Sequence, residues 1–172
     1  QGMSTGYQNI AEILKLEKKY DEAIPYIRKS LKLTIDLDDK DGLAGLYRDL
    51  GLCYANKKDF VTSLNYMAKS LKIGTDYKLD YDKTVSLNGF AMVYNLQKDY
   101  KNAYKYAVVA KDVSEKLGNI SLRANAALQL SSALAGMNRF REAFEIRKEY
   151  DDLKDSLKSD ENVQKLTSFN LE

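Results

Sequence analysis

Two stretches of the sequence decide the fold: residues 50–66, LGLCYANKKDFVTSLNY, and residues 90–106, FAMVYNLQKDYKNAYKY. They stand 40 positions apart and share one pattern. A large apolar residue is followed at once by a small one and four places on by Tyr; a polar turn comes next, then an aromatic, then a small residue three places later. Written in rows of 40, the chain keeps this pattern from end to end. Tyr20, Phe60, Tyr100 and Phe140 form one column, and Ala23, Ser63, Ala103 and Ala143 another. Repetition at a fixed period of this length marks an architecture of stacked units, none of which buries its apolar face alone.

Each row reads as two helices. In the first, Ile10, Leu50, Phe90 and Leu130 are apolar, Ala11, Gly51, Ala91 and Ser131 are small, Ile13, Cys53, Val93 and Ala133 are again apolar, and Leu14, Tyr54, Tyr94 and Leu134 are large. Offsets of 0, 1, 3 and 4 describe one helical stripe. The second helix continues from its aromatic and small columns through Tyr26, Tyr66, Tyr106 and Ile146, then Leu33, Ile73, Val113 and Leu153, then Leu37, Tyr77, Leu117 and Leu157. Short polar turns, such as Asn56-Lys-Lys-Asp59, separate the two. One Pro and nine Gly in 172 residues argue against a turn-rich sheet fold. The small columns let a ring from a crossing helix come close. The pattern predicts an all-α protein of four helical hairpins, 1–39, 40–79, 80–119 and 120–158, stacked into a right-handed superhelix. A C-terminal capping or connecting helix is expected over 159–172, where Val163, Leu166, Phe169 and Leu171 are spaced to fold back over Ala143, Ile146, Tyr150 and Leu153.

Leu50-Gly51-x-x-Tyr54 with Ser63 nine places after the Tyr, and Phe90-Ala91-x-x-Tyr94 with Ala103, resemble the tetratricopeptide repeat signature. The resemblance spans about residues 3 to 157. Three departures stand out: the family's Trp is missing, its helix-ending Pro is replaced by Ile35, Thr75 and Glu115, and the period is 40 where the usual repeat has about 34. The extra length is expected in the second helix. From Tyr150-Asp-Asp-Leu153 through Asp155-Ser-Leu157 to Glu161, the tail resembles the exit segment of the repeat region in bacterial sensor histidine kinases and helix-turn-helix transcriptional regulators. That likeness implies a sensory or docking region of a larger signalling protein, periplasmic if of the sensor-kinase kind and otherwise cytoplasmic.

The chemistry of the side chains points the same way. With no His and one Cys, the chain builds neither a disulfide nor a His-based triad nor a typical zinc site. A net charge of +2 offers no footprint for nucleic acid, and no apolar run approaches the ~20 residues of a membrane span or reads as a secretory leader. No cofactor, no metal and no enzymatic activity are expected of this region. The acidic run Asp36 to Asp41 lacks the Gly and closing Glu of a calcium loop and reads as a solvated turn between hairpins. Cys53, in a column with Ile, Val and Ala, reads as a buried small hydrophobe.

What remains is the face of each first helix turned away from the packing stripe, which in the resembled family lines the concave groove. Its candidate peptide-binding residues are Gln8, Glu12, Arg48, Leu52, Val85, Asn88, Met92, Asn95 and Asn125. Carboxamides match the donors and acceptors of a peptide backbone, and Met and Leu make adaptable pockets. The Lys and Asn clamp of chaperone-binding family members is not reproduced, since Gln8, Glu12, Arg48 and Leu52 stand in its place, which disfavours an acidic chaperone tail. The expected partner is a protein or peptide. The runner-up function is a static scaffold or self-assembly module, with homo-oligomers, and the third is the docking arm of an enzyme whose catalytic domain lies elsewhere.

Overall fold

The computed structural model describes the backbone of residues 2–169 and the side chains of residues 2–159. Among the described residues there are eight helices and no strand: α1 (Gly2–Leu16), α2 (Tyr20–Asp36), α3 (Lys40–Asn56), α4 (Phe60–Asp76), α5 (Asp80–Leu96), α6 (Tyr100–Lys116), α7 (Ile120–Gly136) and α8 (Phe140–Phe169). The chain is an all-α helical repeat superhelix built of antiparallel hairpins. From α2 to α7 every helix has 17 residues, so the extra length of the repeat is shared by both helices of a hairpin and not placed in the second alone.

The physical cause is a turn repeated every 20 residues. Lys18, Asp38, Lys58, Lys78, Lys98, Gly118 and Asn138 all sit in the left-handed region, with φ between 51° and 64°. At the first of them the amide of Lys19 donates to the carbonyl of Leu14 at 2.8 Å and that of Lys18 to Lys15 at 3.0 Å, the paired bonds of a Schellman ending. The same pair recurs where α3, α4, α5, α6 and α7 end. Non-glycine residues hold a left-handed conformation worth roughly 1 kcal/mol of strain because these bonds satisfy otherwise orphaned carbonyls. On the far side of the turn Asp39, Asp59, Asp99 and Asn119 accept the amides of Gly42, Thr62, Asn102 and Leu122 and start the next helix. The run Asp36 to Asp41 is such a turn: a helix end, a left-handed residue and an N-cap.

The small columns lie at the helix crossings. Ala23, Ser63 and Ala103 are fully buried and Ala143 nearly so. Met67 of α4 is fully buried between two glycines. A Cβ on Gly51 of α3 would stand 2.9 Å from its Cε, and one on Gly89 of α5 would stand 2.7 Å from its Sδ, so a side chain at either position would force Met67 to move. Rings fill the wider gaps. Tyr54 stacks on Tyr66 at 5.6 Å between centroids, and Phe90 and Tyr94 stack on Tyr106 at 4.7 and 5.6 Å, geometry that adds to their area burial.

α8 runs without a break through residue 159 to Phe169 and makes no turn at which the tail folds back. The expected fold-back is corrected accordingly: a 30-residue helix with no Gly or Pro inside it has nothing to reverse its direction. Val163, Leu166, Phe169 and Leu171 lie outside the residues whose side chains are described.

Candidate functional site

Successive first helices touch one another, α3 on α5 and α5 on α7, whereas among the described residues successive second helices do not pair in this way. The first helices therefore make the inner wall of the superhelix and the second helices its outer wall.

The inner wall is tied across repeats by polar bonds of constant sequence separation. Arg48 Nη1 of α3 donates to Asp82 Oδ1 of α5 at 3.1 Å; Asn88 Nδ2 of α5 donates to the carbonyl of Leu122 on α7 at 3.2 Å; Asn95 Nδ2 donates to the carbonyl of Gln129 at 2.9 Å. All three pairs are 34 positions apart, as are Lys15 and Asp49, which form an ion pair at 3.1 Å between α1 and α3. A residue on one first helix thus reaches a position six places before its own column in the next repeat.

These bonds sort the nine candidate residues. Arg48, Asn88 and Asn95 are half engaged in holding neighbouring helices, and Asn88 is only 7% exposed. Leu52, Val85 and Met92 are half-buried, Gln8 likewise, and Glu12 and Asn125 are exposed. Glu12 pairs with Lys15 at 2.6 Å. Val85, Asn88, Met92 and Asn95 fall on one stripe of α5. On that stripe the carboxamide oxygens of Asn88 and Asn95 are buried and accept no hydrogen bond among the described residues. At the N-terminal end of the wall, Gln8, Asn9, Glu12, Gly42, Gly45, Leu46, Arg48 and Asp49 line a cavity of about 270 Å³.

Asp82 escaped the sequence reading, because its column otherwise holds Gly2, Gly42 and Leu122 and gives no sign of a carboxylate in use. Only 5% exposed, it is pushed up to about 6 first by burial and then by the neighbouring Asp41 carboxyl, against the pull of Arg48. The signal that would have found it is the 34-residue spacing from Arg48. Cys53 is buried and free, and burial pushes its thiol up to about 11, far from a reactive thiolate. Among the described residues no group of three or more Cys, Asp or Glu is placed to hold a metal ion, and no helix is long and apolar enough to cross a membrane.

A profile of the tetratricopeptide repeat matches residues 3–76. Those residues carry tetratricopeptide repeats. Its helical hairpins superpose on the crystal structure of BtubC (BKLC) from P. vanneervenii with a TM-score of 0.77 at 13% identity, covering 90% of this chain and 64% of that one. They also match a Podosopora anserina putative kinesin light chain with nearly identical TPR-like repeats, with a TM-score of 0.65 at 11% identity over 90% of this chain and 76% of that one. At such identities the likeness is one of fold. In sequence the chain is 32% identical over 124 residues to the uncharacterized protein ycf37 of Guillardia theta, covering 68% of this chain and 66% of the relative. The chain thus spans just under two thirds of the length of BtubC and of the ycf37 relative, and about three quarters of the kinesin light chain. Tetratricopeptide repeats are a family of non-catalytic modules that mediate protein interaction or scaffolding, which fits an inner wall of carboxamides and aliphatic side chains.

Proposed function

We propose that the inner wall binds an extended peptide or protein segment of a partner, and that the array is the sensory or docking region of a larger bacterial signalling protein and not itself an enzyme. The observation that carries the reading is the stripe of α5, where the unpartnered oxygens of Asn88 and Asn95 flank the half-buried Met92. A buried carbonyl without a donor costs about 1–3 kcal/mol, and a peptide N–H would recover it once the carboxamide turns toward the groove. Met92, Leu52 and Val85 supply the apolar contacts beside it. The tail's likeness to bacterial signalling proteins supports the larger role.

Twelve-residue unstructured peptides selected on the protein from a random library test this. Bound peptides should have affinities of about micromolar order, since contact energy is offset by ordering of the peptide. Met92→Glu and Asn125→Ala, which break no inter-repeat bond among the described residues, should weaken the selected peptides about tenfold or more without lowering Tm. Equal binding by both variants would remove the inner wall as the site. Asn88→Ala and Arg48→Ala are poorer probes, since each also releases a bond between helices.

A scaffold or self-assembly role is favoured by a separate observation. Phe140 and Phe144 are 65% and 67% exposed and, with Ser131, Ser132 and Ala135, line a hollow of about 330 Å³ where α7 and α8 meet. A molecular mass that rises with protein concentration would favour that role.

A further inference from the structure

Where α6, α7 and α8 meet, Tyr104, Leu130, Leu134, Arg141, Glu145 and Ile146, with Glu142, enclose a cleft of about 340 Å³. The repeat explains why it is there. Forty positions earlier the residues equivalent to Leu130, Leu134 and Ile146 are Phe90, Tyr94 and Tyr106, whose rings stack on one another at 4.7 to 6.4 Å. In the repeat before that, Tyr54 and Tyr66 stack at 5.6 Å. The last hairpin has three aliphatic side chains where the preceding repeat has three rings, and ring-sized space lies beside them. A cavity of roughly 150 Å³ lined by aliphatic residues suffices for a benzene ring, so this cleft takes one ring with the chain that bears it. All of its walls belong to α6, α7 and α8.

The charge at the rim has changed together with the rings. In the preceding repeat Lys105 lies over the Tyr106 ring, its Nζ 5.9 Å from the centroid. The same position here is Glu145, an exposed carboxylate that forms no ion pair among the described residues. Glu142 is already held by Arg139 through two bonds of 2.7 and 2.6 Å, and that guanidinium lies over Tyr104 at 5.0 Å, closing one end of the cleft. At the positions equivalent to Phe90, Tyr94, Tyr106 and Lys105, rings and cation are thus both replaced, and Tyr104 with Arg139 closes only one end. Arg141 stands at the rim where a phenol oxygen could accept from it, as the Tyr54 hydroxyl accepts from Arg28 Nη2 at 3.0 Å.

We propose that this cleft is a second binding site, which takes a peptide segment of a partner protein bearing an aromatic residue, Tyr above Phe, directly beside a basic one. The ring enters between Leu130, Leu134 and Ile146, and the basic side chain meets Glu145. The site lies apart from the stripe of Asn88 and Asn95, on the face of α7 packed against Ala143 and Ile146, and it stands whether or not the inner wall binds anything.

The test uses an acetylated, amidated hexapeptide centred on Tyr-Lys, titrated into the protein with methyl NMR detection. Shifts should concentrate at Leu130, Leu134 and Ile146 and saturate, with Tyr-Ala and Ala-Lys peptides binding about tenfold more weakly. Glu145→Lys, a surface change that leaves the fold intact, should reverse the preference toward a Tyr-Glu peptide. The triple variant Leu130→Phe, Leu134→Tyr, Ile146→Tyr should refill the cleft and abolish binding. No saturable shift, shifts centred elsewhere, indifference of binding to Glu145→Lys, or undiminished binding by a folded triple variant would each overturn the proposal. So would tyramine alone binding as tightly as the peptide, or the same methyls shifting with protein concentration in the absence of peptide, which would make the occupant a second copy of the chain.

Discussion

Met67 and Arg147 occupy the same column of the repeat, two rows apart, and live in opposite worlds. Met67 is fully buried between Gly51 and Gly89, as Ile27 and Ala107 of the column are fully buried, whereas Arg147 of α8 is exposed. The neighbouring columns behave alike: Ser30, Ser70 and Ala110 are buried where α8 has the half-buried Tyr150, and Thr34, Gly74 and Ser114 are buried where it has the exposed Lys154. In α2, α4 and α6 these columns receive the next hairpin. In α8 they are polar or amphipathic, and Arg147 and Lys154 lie over the Tyr150 ring at 4.8 and 5.7 Å instead. A column of a stacked array has no environment of its own. Its burial comes from the neighbour it meets, and the residue type tracks that neighbour.

The comparison breaks most visibly if the two residues are exchanged. Met67→Arg places an unpaired charge against two helix backbones and should cost about 3–5 kcal/mol, enough to unfold the centre of the array, as read by urea denaturation followed by circular dichroism. Arg147→Met should stay within about 0.5 kcal/mol. Comparable losses from both would show that burial is not set by the stacking neighbour.

The column of Asp82 sharpens the contrast, since the same place is filled by the apolar Leu122 in the next hairpin. The buried carboxyl of Asp82 holds its proton more tightly in the folded chain, with a pKa of about 6, than an ordinary aspartate does at 3.8. Its contribution therefore favours the folded state in full below pH 3.8 and is lost as pH rises through about 6. Asp82→Asn, which keeps an acceptor for Arg48, should flatten the change in urea midpoint between pH 5 and pH 7.5. A variant with the same pH slope as the parent would assign that slope to other groups.

The smallest effect concerns Cys53, fully buried, against Ile13 of its column, which is 57% exposed on α1. A thiol pushed up to about 11 by burial should resist a disulfide reagent at pH 8 in the native state and react only as the hairpin opens. Reaction at the rate of a free thiol would place Cys53 nearer the surface than it is.

The columns made the hairpins legible because stacking imposes one environment per column on most rows, so size and polarity repeat. The left-handed residue of each turn was not legible: Lys, Asp, Gly and Asn all occupy it, since hydrogen bonds to the preceding helix fix the conformation and the side chain is free to vary. The inner wall was half legible. Periodicity singles out Asn88, Met92 and Asn95, but the bonds that bury Asn88 and Asn95 cross between repeats, and the depth of that burial follows from how one hairpin rotates on the next. The cleft beside Ile146 lay in plain view as three absent rings. That space would stay open there and not close by a shift of α8 depends on the spacing of the helices, which no single column encodes.

The seven turns at intervals of 20 residues also set how this gene can change length. One residue inserted within a helix rotates everything before the next turn by about 100°, carrying a buried column out to solvent. One residue inserted at a turn is absorbed outside the helices. Tolerance to insertion and deletion should therefore alternate along the chain like the teeth of a comb. The smallest clean increment is a whole hairpin of two such intervals, because a single added helix would exchange the inner and outer walls of all that follows it.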